Sequence, residues 1–252
     1  MLQTLILIIT VLLVHTVKAM RLYLALCDTD IKFQNYIPAY CISTSVSIIL
    51  PYKLGDFFRM YCFGRQVSNM ARGVITVLFD RVMDTLGLIT VIIISTLFSG
   101  EEISSITYIL MIFIVLTLLA YYLFPGLYSF WKKFLLCAKA TPRKNWALKL
   151  ITACDEVYCK IVKVARGRGI ILYFMSVLCW AIEIGGLAIL IGVMGSQADG
   201  ADISNYLDAA IGIGNSAWMH QFAIVGIGML LAGFVFASII NVIRGKGEKS
   251  CK

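Results

Sequence analysis

Charged residues are scarce in this sequence, and the motifs of common soluble enzymes are missing from it. Only 14% of the 252 residues are charged, and there are two histidines and four prolines. The chain contains no phosphate-binding loop, no glycine-rich dinucleotide fingerprint and no zinc-spaced cluster of histidine and cysteine. Its eight cysteines lack the two-residue spacing of metal ligands, so we expect free reduced thiols. We therefore predict no catalytic motif, no cofactor and no metal site.

Apolar residues dominate what is present. They make up 60% of the chain, and the mean hydropathy is +0.88. Several apolar runs approach the roughly 20 residues that a membrane-spanning helix needs. We predict an all-α polytopic integral membrane protein with about five to six transmembrane helices and a re-entrant hairpin. No room remains at this length for a folded soluble domain beside it.

The apolar runs locate the expected spans. Five runs are predicted to cross the membrane, at residues 2–17, 73–98, 106–124, 170–194 and 220–243. A sixth run, residues 33–50, is interrupted by Pro38 and contains the polar stretch 43–47. This sixth run does not read as a simple span.

Basic residues predict the orientation of the spans. Residues 125–169 carry ten lysines and arginines against two acids, so the positive-inside rule places this linker in the cytoplasm. The connection with Glu101 and Glu102, and residues 195–219, contain no lysine or arginine and are expected outside. The basic tail after residue 244 places the C-terminus on the cytoplasmic side of a cell inner membrane.

Basic residues also flank the ambiguous run on both sides. Lys18, Arg21 and Lys32 precede it, and Lys53 and Arg59 follow it. Both flanks can be cytoplasmic only if the run enters and leaves by the same face. We therefore predict a re-entrant hairpin with its tip near the 43–47 stretch or at the proline that follows, next to a covered or wet cavity. The alternative is a sixth ordinary span with the first two basic residues outside.

Paired charges inside apolar sequence point to a functional site. Asp56 lies three residues before Arg59, and Asp80, Arg81 and Asp84 follow about twenty residues later. On helices each set shares one face, which permits internal ion pairs. An ionisable side chain at membrane depth costs at least about 2.5–3.5 kcal/mol, so such a residue is a functional candidate with a partner.

Two other readings concern acidic residues. Glu183 is a single acid deep in the 170–194 run, and we include it among the candidate substrate-binding residues. Asp80 and Asp84 could instead ligate magnesium, but Arg81 between them and the lack of a second acidic motif disfavour this.

The order of these residues resembles a known family. Residues 49–59 read Ile-Leu-Pro-Tyr-Lys-Leu-Gly-Asp-Phe-Phe-Arg, followed by Gly64-Arg65 and by Asp-Arg-x-x-Asp at 80–84. This resembles the Leu-Pro-x-x-x-Gly-Glu-x-x-Arg and Glu-Arg-x-x-Asp pattern of the lysylphosphatidylglycerol synthase transmembrane family, the flippase-like domain. The resemblance is specific over about residues 15–98 and looser beyond. It implies a stand-alone member, without the aminoacyl transferase domain, that moves lipids between leaflets.

The resemblance also implies a set of substrate-binding residues. Carried over by position, these are Pro51, Gly55, Asp56, Arg59, Arg65, Asp80, Arg81 and Asp84. Arginine forks hold phosphate in a bidentate manner, and the acids would balance their charge. The alternative is that these residues are ion pairs that only lock the hairpin to the next helix.

The sequence departs from the family pattern at two places. Aspartate replaces glutamate at 56 and 80. The glycine-rich element of the second half survives only as Gly212-Ile-Gly214, with Ala217 where an acid would fall. The second half of any cavity is therefore less complete than the first.

We expect one flippase-like membrane domain over residues 1–252. Its parts are a first half (1–124), the basic linker (125–169), a second half (170–244) and a cytoplasmic tail (245–252). The expected function is translocation or binding of an anionic phospholipid or a lipid-linked glycan precursor in cell-envelope metabolism, without enzymatic chemistry. Alternatives are a membrane-embedded transferase and a non-transporting scaffold of an envelope-synthesis complex. Expected partners are membrane lipids, envelope glycosyltransferases or a lipid-modifying enzyme, and further copies of the chain, but no nucleic acid.

Overall fold

The chain folds entirely into helices over the residues that the structure describes. This computed structural model describes residues 1–29, 31–50, 54–99, 104–137, 142–193, 200–212 and 216–250. Within these ranges there are nine α-helices and no strand. The helices are α1 (Leu2–Leu26), α2 (Phe33–Ile49), α3 (Leu54–Gln66), α4 (Met70–Ser99), α5 (Ser105–Cys137), α6 (Pro142–Ala165), α7 (Gly169–Val193), α8 (Gly200–Ile211) and α9 (Ala217–Ser250).

The long apolar helices match the predicted spans. Four helices are long and apolar enough to cross a membrane, namely α1, α5, α7 and the Ala217–Ile243 part of α9. Helix α4 has 30 residues and is therefore also long enough, at roughly 45 Å. The side chains of α5 are mostly exposed although they are apolar, as expected for a helix in contact with lipid. These features confirm an all-α polytopic membrane protein.

Helices α2 and α3 form a helical hairpin. They pack against each other on either side of residues 50–53. With 17 and 13 residues they are about 26 and 20 Å long, each shorter than the roughly 30 Å hydrocarbon layer. The polar stretch 43–47 lies inside α2, so the turn is not there, and Pro51 lies outside the described residues. Two short paired helices are the form expected of a re-entrant hairpin.

A glycine allows the two limbs of the hairpin to approach closely. A Cβ atom at Gly55 would lie 2.2 Å from the Cα atom of Ser47. Any larger residue would therefore push α3 away from α2. This contact brings Ser47 next to the charged residues at the start of α3.

Helix α1 is longer than the sequence predicted. The apolar run was expected to end at Val17, with Lys18 and Arg21 in a cytoplasmic loop, and this expectation is wrong. The helix continues to Leu26, and Arg21 is only 3% exposed. These two basic residues therefore belong to the protein interior rather than to the flank that orients the hairpin.

Six helices enclose a polar layer. Helices α1, α7, α4, α3, α2 and α9 pack successively against one another, and α9 closes the cycle on α1. One apolar cluster includes Leu7, Leu88 and Leu187, and a second includes Leu22 and Val77. Lys18 and Arg21 on α1, and Asp80, Arg81 and Asp84 on α4, lie between the positions of Leu7 and Leu26 and of Val77 and Leu88 that enter these two clusters. The fold thus places these charges in a layer between two apolar clusters.

Candidate functional site

Four basic and four acidic side chains occupy the polar layer and its edges. They come from α1, α3, α4 and α7: Lys18, Arg21, Arg59 and Arg81, with Asp56, Asp80, Asp84 and Glu183. Every ion pair among these described residues joins two different helices. The charges balance, which is the arrangement that makes ionisable groups tolerable at membrane depth.

Arg21 is closed off by its partners. Its Nε donates to Oδ1 of Asp80 at 2.8 Å, and its Nη1 donates to Oδ1 of Asp84 and to Oγ of Ser176, both at 2.7 Å. Its side chain is 4% exposed. Because these partners lie on α4 and α7, Arg21 ties three helices together through three of its five N–H donors.

Arg59 is less completely satisfied. Its Nη1 lies 3.6 Å from Oδ2 of Asp80, longer than the ion pairs of Arg21, and its guanidinium lies 5.9 Å from the ring centroid of Tyr40. Its Nε is buried without a hydrogen-bond partner among the described residues. Buried polar atoms are normally paired, so this donor marks a place for water or a ligand group.

Arg81 forms the accessible edge of the cluster. Its Nε donates to Oδ1 of Asp56 at 3.1 Å, and its Nη2 contacts the same carboxylate. Ser47 bridges the pair, since Arg81 Nη2 lies 3.3 Å from its Oγ, which donates to Asp56 at 3.2 Å. The side chain of Arg81 is 41% exposed, against 12% for Asp56. This guanidinium can reach a ligand without unfolding the layer.

A second polar group lies beside the cluster. Lys18 Nζ lies 3.5 Å from Oε2 of Glu183, and the hydroxyl of Tyr206 donates to the other oxygen at 2.5 Å. Lys18 also lies 5.5 Å from the ring centroid of Trp180, whose Nε1 donates to the carbonyl of Asp84 at 3.3 Å. Glu183 is therefore linked to the cluster through these side chains but pairs with Lys18 rather than with an arginine.

Most of the predicted site residues come together. Asp56, Arg59, Asp80, Arg81 and Asp84 all belong to the layer. The spacing permits pairs within each helix, but the pairs of the described residues join helices: Asp56 pairs with Arg81 on α4, and Arg59 with Asp80. Ion pairs between the hairpin and the next helix were the alternative given by the sequence. Helix α3 and helix α4 are thus cross-linked by their charges.

Three other predicted residues stand apart from these contacts. Gly55 serves the hairpin crossing. Arg65 lies exposed in the last turn of α3, where its Nη1 donates to the hydroxyl of Tyr61 at 3.4 Å. Pro51 falls outside the described residues.

Sequence reasoning missed the α1 contribution to the site. Lys18 and Arg21 were taken as loop residues because a basic residue usually ends an apolar run. The signal that could have found them is the sequence Leu22 to Leu26, which remains apolar after Arg21. Three-residue spacing also places both basic residues on one face of the helix.

The magnesium reading is disfavoured by the position of Arg21. Its guanidinium donates to both Asp80 and Asp84, so a cation already lies between the two carboxylates. A metal ion would have to displace it from a nearly closed pocket.

Comparison with known proteins identifies the family of the chain. A family model described as the lysylphosphatidylglycerol synthase TM region matches residues 1–241. The match includes every residue of the polar layer. Neither a curated protein nor a solved structure matches the chain.

Proposed function

The chain belongs to the lysylphosphatidylglycerol synthase transmembrane family, and from this premise we propose that it binds and translocates a lipid with an anionic headgroup. The observation that carries the proposal is the unequal use of the three arginines. Arg21 is enclosed, whereas Arg59 keeps an unpartnered buried Nε and Arg81 is 41% exposed. The cluster therefore has a structural side and an open side.

The open side fits a phosphate group. A guanidinium holds phosphate in a bidentate manner, and Arg59 and Arg81 are the arginines with capacity for it. Asp56 balances Arg81 when no lipid is bound, and an arriving phosphate competes with this carboxylate for the same donors. The short helices of the hairpin end within the membrane and let the headgroup travel along protein rather than through hydrocarbon.

The family and the distribution of basic residues support a proposal for the lipid, the membrane and the partner enzymes. The headgroup belongs to an anionic phospholipid or a lipid-linked glycan precursor, since both offer phosphate. The protein lies in the cell inner membrane with its C-terminus in the cytoplasm, as the basic linker favours. It carries out no bond-breaking chemistry, and an envelope glycosyltransferase or lipid-modifying enzyme would supply or consume its lipid.

Reconstitution tests the proposal. Proteoliposomes with fluorescent phosphatidylglycerol in the inner leaflet should lose fluorescence to an impermeant quencher faster than protein-free vesicles. Arg81→Lys should slow this loss, and Arg166→Lys, at an exposed linker position, should not. Lipid movement no faster than in protein-free vesicles would favour a scaffold, and a change in headgroup mass would favour a transferase.

A further inference from the structure

An apolar cavity lies outside the ring of helices. It has a volume of about 740 Å³, is bordered by α4, α5 and α6, and is open on one side. Lining residues include Ile75, Phe79, Leu118, Phe124 and Tyr158. Because α5 is a candidate membrane span, at least part of the cavity is expected at membrane depth, where hydrocarbon is the ligand that matches its walls.

Two arginines lie near one end of this region and share a single carboxylate. Nη2 of Arg72 lies 3.3 Å from Oδ2 of Asp28, and Arg168 contacts the other oxygen of the same group. The hydrogen bond from Arg168, together with the charges of Arg168, Arg72 and Lys163, holds the pKa of Asp28 below its usual range. The group is therefore ionised, and the three side chains carry one net positive charge.

Both guanidiniums retain unused donors. Arg72 is 7% exposed, and its Nε has no hydrogen-bond partner in the described part of the chain, although its Nη1 donates to the carbonyl of Lys160 at 3.4 Å. The Nη1 of Arg168 also lacks a partner in the described part of the chain and is buried, although the side chain as a whole is 28% exposed. Buried cationic donors normally have acceptors, so these two donors fit a phosphate group.

The sequence register connects the arginines to the cavity. Arg72 precedes the lining residue Ile75 by three positions, and Arg168 follows the lining residue Ala165 by three. On α4, Arg72, Ile75 and Phe79 share one face. Arg168 lies just beyond the end of α6, where it meets Arg72 at Asp28. A hydrocarbon cavity with two guanidiniums near one end has the polarity of a phospholipid, with chains at one end and phosphate at the other.

We propose that the α4–α5–α6 cavity binds the acyl chains of an anionic phospholipid whose phosphate is held by Arg72 and Arg168. This site is separate from the Arg59 and Arg81 edge and does not depend on lipid translocation. The basic residues of α6 add local positive charge, and the positive-inside rule assigns this end of the cavity to the cytoplasmic leaflet.

Native mass spectrometry of the full chain in detergent tests the site. We expect phosphatidylglycerol to bind roughly ten-fold more tightly than diacylglycerol, which has the same chains but no phosphate. Arg168→Gln should reduce this preference while leaving diacylglycerol binding unchanged. Asp28→Asn should strengthen phosphatidylglycerol binding, because it removes the carboxylate that competes for both arginines.

Cavity-filling variants test the acyl-chain part. Ala120→Trp and Ala153→Trp place bulk at exposed lining positions and should weaken both lipids. Ala232→Trp, at an exposed alanine of α9 outside the lining, is the matched control and should weaken neither.

Three results would overturn the proposal. The first is equal affinity of the wild-type protein for the two lipids. The second is undiminished phosphatidylglycerol binding by both cavity-filling variants at wild-type thermal stability. The third is binding of inorganic phosphate as tight as that of phosphatidylglycerol, which would leave an anion site without an acyl-chain cavity.

Discussion

The Arg21 side and the Arg81 side of the polar layer use the same kind of residue in different ways. Arg21 donates to three side chains on two neighbouring helices and is 4% exposed. Arg81 is 41% exposed, and within the described ranges its guanidinium contacts Asp56 and Ser47, which belong to the hairpin. A buried arginine that bonds to two helices stabilises helix packing, whereas an exposed one with a single carboxylate partner remains available to a ligand. The layer thus separates architecture from binding.

The largest expected loss of stability is at Arg21, on the enclosed side of the polar layer. Arg21→Gln leaves Asp80 and Asp84 without their main cation, and breaking a buried pair in this way costs about 3–5 kcal/mol. We expect a large fall in the thermal unfolding temperature of the detergent-solubilised protein. Arg166→Gln, at an exposed position, serves as the control. Wild-type stability of Arg21→Gln would remove the distinction between the two sides.

A smaller loss of stability is expected at Gly55, where α2 and α3 approach each other most closely. Gly55→Ala places a Cβ atom 2.2 Å from Ser47 Cα and should cost about 1–3 kcal/mol through overpacking. Because Ser47 bridges Arg81 and Asp56, lipid movement should fall as well. Gly126→Ala has open space around the new methyl group and should be tolerated. If both variants are equally stable, α2 and α3 are not held at this distance in the membrane.

Substitution of Arg81, on the exposed side of the layer, should reduce lipid movement rather than stability. Arg81→Lys keeps the charge but loses the planar fork, so it should alter stability by less than about 1 kcal/mol and reduce lipid movement several-fold. Unfolding temperature and quencher-accessible fluorescence are measured on the same preparation. A stability loss as large as that of Arg21→Gln would mean that Arg81 is also architectural.

The smallest effect on lipid movement is expected at Glu183, which pairs with Lys18 beside the arginine cluster. Glu183→Gln keeps the shape and the contact with Tyr206 but removes the charge opposite Lys18. We expect a modest reduction in lipid movement without unfolding, measured in proteoliposomes at matched protein density. Unchanged movement would exclude Glu183 from the translocation path and leave the arginine edge to stand alone.

The sequence predicted the membrane class and most charged residues of the layer, for a physical reason. Charges are so costly in an apolar run that Asp56, Arg59 and Asp80 could be singled out without a structure. Pairing between the hairpin and the next helix was one alternative, but spacing along a helix does not say which helix faces it, so the individual partners could not be predicted. Arg21 was missed because it was taken to end the apolar run, although residues Leu22 to Leu26 remain apolar after it.

The apolar cavity and the ion pairs of Asp28 with Arg72 and Arg168 could not be predicted from the sequence either. Arg72 and Arg168 are 96 positions apart in the chain, and each reads as an ordinary topology determinant in the sequence. Only the packing of α6 against α4 and α1 brings both to one carboxylate. Long-range convergence of this kind leaves no local pattern.

Exchanging Asp56 and Arg81 tests the central claim most directly. The double variant Asp56→Arg with Arg81→Asp keeps an ion pair between α3 and α4 but moves the guanidinium to the hairpin. If the edge binds headgroups, the protein should keep an unfolding temperature near that of the wild type, while lipid movement in proteoliposomes falls to the protein-free rate. A folded double variant that moves phosphatidylglycerol at the wild-type rate would contradict the account and make the pair purely structural.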